Sequence, residues 1–248
     1  MATLSKRKRP SREEKPFKER LKISGKVFDD HTLEVLVKYL NSAVFKSLDY
    51  PVSQGKEAVV FRASGYRKTF IAVKIFKYET TSFHKVMDYI QGDPRFNVDA
   101  VKNSKREFVK LWARKEYANL QVSFKAGVSV PEPKHHRENV VLMEFIGVDG
   151  VPCALLEDVV LSNPKKFFNE VVENMKLCVK AGLVHADLSS FNILVRDEKP
   201  VFIDWAQAVS LEHPRAREFL ESDCWNVCKY FKKLGVKCDA KELFDSLK

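Results

Sequence analysis

The stretch Leu183–Val195, LVHADLSSFNILV, and the strand ending Val201–Asp204, VFID, decide the fold that this sequence predicts. Asp187 and Asn192 are five residues apart on a loop, and the apolar run that follows turns and returns as a short hairpin that ends at Asp204. Carboxylate and amide oxygens are the ligands that Mg²⁺ prefers, and a carboxylate can also receive a proton. The spacing therefore predicts a site for phosphoryl transfer, with the three polar side chains sharing one small space.

Length and composition are those of a folded domain or of two small lobes. The chain has 248 residues, of which 45% are hydrophobic, enough for a core. No apolar run reaches the roughly 18 residues that a membrane helix needs, and no apolar segment follows the charged N-terminus. We therefore expect a soluble cytoplasmic protein without a membrane partner.

The five cysteines are an odd number and form no CxxC pair, so the sequence indicates neither a disulfide framework nor a zinc site. Cys224 and Cys228 are four residues apart, a spacing that metal ligands also use. They share a helical apolar stripe with Leu220, Val227 and Phe231, which favours a role in the core.

Positive charge is concentrated at the N-terminus. Residues 1–22 contain nine Lys or Arg against three Glu, so they carry +6 of the total net charge of +10. Such a basic arm favours a nucleic-acid partner, while a solvated terminus without a partner fits the composition equally well.

In the first half of the chain, the periodicity predicts a helix over Leu33–Phe45, a hairpin over Tyr50–Ala63 and a strand over Phe70–Phe76. The turn Ser53-Gln54-Gly55-Lys56 is compatible with a loop over phosphates and also with a plain hairpin turn. The strand places Lys74 on the same face as Phe70, Ala72 and Phe76. A buried ammonium there needs a carboxylate or phosphate partner, and the alternative is a lysine that snorkels to the edge.

The helix predicted over Arg106–Lys125 supplies that partner. Its inward stripe holds Phe108, Leu111, Trp112, Leu120 and Phe124, and Glu116 falls within it at four-residue steps. We therefore expect Glu116 to pair with Lys74, and Gly127 to end the helix. Between the strand and this helix, residues 78–105 show no sustained period and predict a long mobile loop.

The rest of the chain predicts a buried strand and three helices. The strand covers Val140–Phe145, and the helices cover Pro164–Ala181, Ala216–Leu234 and Ala240–Leu247. The strand lies where a hinge between two lobes would run, so its backbone is a candidate for binding adenine.

The spacing around Asp187 resembles the catalytic loop of protein kinases, although Ala186 replaces the usual Arg and Trp205 replaces the Phe after the metal-binding Asp. The whole set resembles the RIO family of atypical serine/threonine kinases, specifically its first subfamily in the archaeal form. The resemblance rests on Ser53-Gln54-Gly55-Lys56-Glu57, Ala72-Val73-Lys74, His185-Ala186-Asp187-Leu188-Ser189 with Asn192, and Ile203-Asp204 with Gln207.

The resemblance implies an α+β fold of the bilobal protein-kinase type, with a small, mostly β N-lobe and a mostly helical C-lobe. It implies a trimmed form, without an activation loop or substrate-binding C-terminal helices. We predict a basic flexible arm at 1–22, an N-terminal helix and N-lobe at 23–146, and a C-lobe at 147–248. The expected cofactors are ATP and Mg²⁺, with Mn²⁺ as an alternative metal.

The resemblance also implies a role for each matched residue. Ser53, Gln54, Gly55 and Lys56 would cover the phosphates, Lys74 would hold them, Glu116 would orient Lys74, and Met143, Glu144 and Phe145 would border adenine. Asp187 would be the catalytic base, and Asn192 and Asp204 would bind magnesium. His185 is expected to support the loop.

Family members act in the maturation of the small ribosomal subunit, and some behave as ATPase switches. Every polar group that phosphoryl transfer needs is present, so the sequence favours an active kinase or ATPase, with a transient phosphate on Asp204 as a hypothesis. The alternative is a catalytically idle nucleotide-binding factor that sits on pre-ribosomal particles through its arm. A monomer is the expected oligomeric state.

Deleting residues 1–22 should weaken RNA binding without affecting ATP hydrolysis. The log–log salt slope of binding to single-stranded RNA should fall by about 0.7 for each phosphate that the arm neutralises. RNA titrations over a salt series measure this slope, and equal slopes with and without the arm would contradict the prediction.

Overall fold

A computed structural model describes residues 3–4, 28–79, 83–97 and 104–247. The predicted arm lies outside the described residues, apart from a two-residue strand β1 (Thr3–Leu4) that pairs antiparallel with β9 (Val159–Val160).

The first half of the chain forms a five-stranded antiparallel sheet. Its strands are β2 (Ser47–Gln54), β3 (Ala58–Ser64), β4 (Phe70–Phe76), β5 (Pro133–Arg137) and β6 (Val140–Glu144). They lie in the order β2-β3-β4-β6-β5, so β4 is central. The predicted strand Phe70–Phe76 is confirmed to the residue, and the hairpin predicted over Tyr50–Ala63 is formed by β2 and β3.

The two faces of β4 enter different cores, as its alternation predicts. Ile71, Val73 and Ile75 pack in a cluster with the first helix, α1 (Asp30–Asn41). Ala72 and Phe76 enter the larger cluster, which includes Trp112 of the long helix α3 (Lys105–Lys125). The sheet thus lies between α1 and α3, and Lys74 points toward α3.

Helix α1 begins at Asp30, before its predicted start at Leu33, and Asp29 caps it by accepting a hydrogen bond from the Thr32 backbone N–H at 3.0 Å. Its predicted end and buried face are partly wrong. The helix ends at Asn41 and not at the predicted Phe45, and Val37, which helical spacing places on the apolar face with Leu33 and Leu40, is 50% exposed. Tyr39 is buried on this helix, and its hydroxyl forms a hydrogen bond with His135 Nδ1 at 3.0 Å.

Helix α3 follows its predicted bounds to within one residue. Ser104 caps its start by accepting the Glu107 N–H at 3.3 Å. Gly127, with φ of 80°, follows its end in the left-handed conformation that ends many helices. The predicted stripe is wrong at Phe124, which is 44% exposed because the stripe rotates away from the core near the end of the helix.

The long loop predicted over residues 78–105 is also partly wrong, because it contains helix α2 (Phe83–Ile90). Val86 and Ile90, four residues apart, are buried in the main core. This pair gives α2 an apolar stripe of only two turns, too short to stand out as a period. Tertiary packing therefore fixes a segment whose sequence signal is weak.

The second half of the chain is mostly helical, with α4 (Pro164–Lys180), α5 (Ala216–Lys233) and α6 (Ala240–Ser246). Short strands accompany them: β7 (Gly147–Val148), β8 (Val151–Pro152), β10 (Leu183–Val184), β11 (Ile193–Arg196), β12 (Lys199–Phe202) and β13 (Val209–Ser210). Cys224 and Cys228 are buried free thiols on α5, as the core interpretation requires. In the described ranges, no helix combines the length and apolar character needed to cross a membrane.

Candidate active site

A buried ammonium joins the sheet, helix α3 and the loop after β12. Lys74 Nζ donates to Glu116 Oε1 at 2.7 Å and to Asp204 Oδ1 at 3.0 Å. The Lys74 and Glu116 side chains are only 9% and 2% exposed, whereas that of Asp204 is 43% exposed. The predicted Lys74–Glu116 pair is therefore present, and Asp204 extends it toward solvent.

The charges of Lys74 and Asp204 stabilise each other, whereas burial raises the pKa of Glu116 despite the nearby ammonium of Lys74. Burial works against a charged Lys74, but the carboxylates of Asp204 and Glu116 raise its pKa above the ordinary value. Burial likewise opposes a charged Asp204, but Lys74 brings the pKa of Asp204 below its usual range. Lys74 and Asp204 are therefore both charged at neutral pH.

The catalytic-loop residues predicted to share one space do so. Asn192 Nδ2 donates to the backbone carbonyl of Asp187 at 2.7 Å and to its Oδ2 at 3.0 Å. Gln207 Nε2 donates to the same carboxylate oxygen at 3.1 Å. The backbone N–H of Ile203 donates to the Asn192 carbonyl at 3.0 Å, so Asp204 follows directly after a residue bound to the loop.

Asp187 and His185 have different electrostatic environments. Burial, and then the negative charge of Asp204, raise the pKa of Asp187 to about 6. Burial lowers the pKa of His185 to about 4, and its Nε2 donates to the Ile203 carbonyl at 3.0 Å. His185 is therefore neutral and suited to support the loop, while Asp187 is suited to exchange a proton near neutral pH.

Sequence reasoning missed Asp223, a fully buried carboxylate on α5. Its oxygens accept the backbone N–H groups of Ala186 at 2.8 Å and Leu188 at 2.7 Å, one on each side of Asp187. Asp223 therefore fixes the backbone that carries the candidate base. The signal that could have identified it is its position four residues after the buried Phe219, on the apolar stripe of the helix.

Sequence reasoning also missed two buried polar residues on α3. Lys115 donates to the carbonyls of Ala206 and Ala208, and Asn119 Nδ2 donates to those of Trp205 at 2.9 Å and Ala208 at 2.7 Å. Burial lowers the pKa of Lys115 to about 7. Helix α3 therefore holds the segment after Asp204 in addition to carrying Glu116.

The predicted phosphate loop is the turn between β2 and β3. Ser53, Gln54, Gly55 and Lys56 are all exposed. The N–H of Gly55 donates to the Ala58 carbonyl at 2.9 Å, and Lys77 Nζ donates to the Gly55 carbonyl at 2.8 Å. This is the geometry of a hairpin turn whose conformation Lys77 helps to set.

The strand proposed to border adenine, β6, ends where the chain passes from the sheet to the helical half. Met143 and Phe145 are buried, while Glu144 pairs with Arg196 Nη1 through its Oε1 at 2.6 Å. A Cβ on Gly147 would collide with the Val151 carbonyl and the Phe145 ring, so only Gly fits this crossing.

Asn192 and Asp204 suit a divalent cation. Asn192 uses its amide nitrogen on Asp187, which leaves its amide oxygen for a metal. Within the part of the chain that the structure describes, no three His, Cys, Asp or Glu side chains converge as a ligand set. A magnesium ion here would take its remaining ligands from phosphates and water, as such sites commonly do.

The five-stranded sheet carries Lys74, which pairs with Glu116, and the helical half carries Asp187, Asn192 and Asp204. This arrangement defines a protein-kinase-like phosphotransferase. The pattern of the RIO domain matches residues 59–243. The chain belongs to the RIO family of serine/threonine kinases.

Similar proteins and a solved structure also point to the RIO family and to its fold. The chain is 38% identical over 227 residues to the RIO-type serine/threonine-protein kinase Rio1 of Haloferax volcanii, covering 92% of this chain and 78% of that protein. It is 40% identical over 232 residues to Rio1 of Methanocaldococcus jannaschii, covering 93% and 79%. The Rio2 kinase–ADP/Mg²⁺–phosphoaspartate complex of Chaetomium thermophilum matches with a TM-score of 0.65 at 21% identity, covering 85% of this chain and 64% of that one.

These findings confirm the predicted family, the α+β kinase-like fold and the kinase activity. The domain boundaries and the roles of the individual site residues stay predictions.

Replacing Asn119 with Ala should destabilise the loop that follows Asp204. Two buried carbonyls lose a donor, which should lower the free energy of unfolding by about 1–3 kcal/mol and weaken the magnesium-dependent part of nucleotide binding. Urea unfolding, and ATP titrations with and without Mg²⁺, measure the two effects. The matched control is Gln121→Ala on the same helix, and equal losses in both variants would contradict this role of Asn119.

Proposed function

We propose that the chain transfers the γ-phosphoryl group of ATP with the help of Mg²⁺, as a kinase, an ATPase or both, in the maturation of the small ribosomal subunit. The catalytic part of the proposal rests on the contacts of Lys74 Nζ, which lies 2.7 Å from Glu116 and 3.0 Å from Asp204. It also rests on the hydrogen bond by which Asn192 holds Asp187.

In this proposal each polar group has one task. Lys74, oriented by Glu116, binds the phosphates through its ammonium, and the turn Ser53–Lys56 covers them. Met143, Glu144 and Phe145 border the adenine. Bound Mg²⁺ would neutralise phosphate charge, and Asn192 and Asp204 are the residues that would hold it.

Asp187 has the geometry of the proton acceptor. Its Oδ2 accepts hydrogen bonds from both Asn192 and Gln207, so its orientation is fixed before any nucleophile arrives. A nearby nucleophile, a hydroxyl group or water, would lose its proton to this carboxylate as it attacks phosphorus.

Asp204 is also a candidate nucleophile, because its side chain is 43% exposed and carries a negative charge. A carboxylate oxygen of Asp204 would bond the γ-phosphorus while the bond to ADP breaks, and water oriented by Asp187 would then release phosphate. The phosphoaspartate named for the Chaetomium Rio2 complex supports this step.

The ribosomal part of the proposal rests on the family resemblance and on the nine Lys or Arg residues of the N-terminal arm. A polycation of this kind suits an RNA partner.

Lys74→Ala should impair nucleotide binding and turnover. The substitution leaves Glu116 as a buried carboxylate without its cation and removes a partner of the phosphates, for a combined loss of about 2–4 kcal/mol. ATP titration and turnover measure it. Lys110→Ala, which removes a partly exposed pair with Glu138, is the control and should stay near wild type; unchanged binding and turnover in Lys74→Ala would contradict the proposal.

Borohydride reduction of the protein during ATP turnover should convert a phosphorylated Asp204 to homoserine. We expect homoserine at this position in the wild type and more of it in Asp187→Ala, because Asp187 promotes release of the phosphate. Mass spectrometry of the peptide containing Asp204 measures it, with Asp204→Asn as the blank.

The reduction experiment separates a phosphorylated Asp204 from a purely metal-binding Asp204, and an active enzyme from an idle nucleotide-binding factor. Turnover without homoserine in either protein would leave Asp204 with a metal-binding role alone. Equal background hydrolysis in the wild type and in Asp187→Ala would instead support the idle nucleotide-binding factor.

A further inference from the structure

The turn between β3 and β4 is built from residues that its backbone disfavours. Arg67 and Lys68 occupy its centre with φ of 58° and 59°. Hydrogen bonds close the turn, from the Gly65 N–H to the Thr69 carbonyl at 2.8 Å and from Thr69 Oγ1 to the Tyr66 carbonyl at 2.7 Å. Two consecutive positive φ values are the pattern for which Asn-Gly is preferred, because Gly has no Cβ and Asn tolerates this region. Local propensity therefore does not explain the two cations.

The hairpin of β11 and β12 has a turn with the same backbone conformation, and one of its side chains has an internal partner. Asp197 and Glu198 have φ of 52° and 59°. There the Glu198 carboxylate accepts the Ser162 N–H at 3.3 Å and the Ser162 hydroxyl at 2.9 Å, so the side chain has an internal partner. Arg67 and Lys68 are exposed and form no ion pair within the described residues.

A third cation and an aromatic ring complete the surface of the turn. The ammonium of Lys46 lies 5.1 Å from the centre of the Tyr66 ring, and Tyr66 as a residue is 45% exposed. The backbone N–H of Lys46 donates to the Ser64 carbonyl at 2.7 Å, which fixes this lysine beside the end of β3. In the described ranges, Lys46 also has no carboxylate partner.

We propose that Lys46, Tyr66, Arg67 and Lys68 form a binding surface for single-stranded nucleic acid. Two cations on a closed turn and a third beside it match a chain of phosphates, and the exposed Tyr66 ring offers a face on which a base stacks. An acidic peptide would use the cations but has no need of the aromatic ring. None of the four residues belongs to the catalytic cluster, so this surface is independent of the proposed phosphoryl transfer.

The decisive variant combines Arg67→Asn and Lys68→Gly in the full chain. It installs the residues that the backbone prefers and removes two cations. The midpoint of thermal unfolding should rise by about 2–4 °C as steric strain is relieved. The affinity for a labelled oligouridylate should fall, and the log–log salt slope should drop by about 1.4, or about 0.7 for each phosphate that is no longer neutralised.

Further variants test the aromatic ring and the location of the charge. Tyr66→Ala should weaken binding about tenfold, whereas Tyr66→Phe should keep it, because stacking needs the ring and not the hydroxyl. Lys232→Gln with Lys233→Gln removes two exposed cations from the last turn of α5 and should leave the slope nearly unchanged.

Three results would overturn the proposal. The first is a turn variant with a higher unfolding midpoint and a wild-type salt slope, which would make the turn a structural feature only. The second is an equal slope change in the Lys232/Lys233 control, which would reduce the effect to net charge. The third is equal affinity of the wild type for oligouridylate and for polyglutamate of the same length, which would exclude recognition of nucleic acid.

Discussion

The ammonium of Lys74 is the constraint on which the rest of the structure depends. A charge that is only 9% exposed persists only with well-placed partners, because transferring it from water costs far more than one hydrogen bond contributes. Its partners come from two distant parts of the chain, Glu116 from α3 and Asp204 from the loop after β12. One cation therefore ties together the central strand, the helix beside it and the helical half.

Helix α3 connects the buried ammonium of Lys74 to the segment after Asp204. Glu116 reaches the strand, while Lys115 and Asn119 hold the carbonyls of the segment after Asp204. A movement of α3 would break contacts on both sides together. The helix thus couples Lys74 to the segment that follows Asp204 through direct hydrogen bonds.

How much the sequence predicts depends on whether both partners of an interaction are side chains that leave a pattern in the sequence. The bounds of β4 and the Lys74–Glu116 pair follow from alternation and helical spacing, which are local patterns. Lys115, Asn119 and Asp223 were missed because their partners are backbone groups between 35 and 93 residues away, and no periodicity identifies such a partner. Packing also decides which side of a short helix such as α1 faces the sheet, so apolar spacing alone did not predict its buried face.

A positive φ at a residue other than Gly indicates a functional site only when the contacts around that residue also point to one. Ala186 and Asp204 have φ of 67° and 66°, and both adjoin groups that buried polar contacts hold in place. Glu138 also has a positive φ of 55°, but its carboxylate joins His31 and Lys110 in an ordinary surface network. Contacts within the fold therefore offset the strain at Glu138. At Arg67 and Lys68 the turn is closed by backbone and threonine hydrogen bonds, but within the described residues neither side chain has an ion-pair partner, so both cations are available to a ligand.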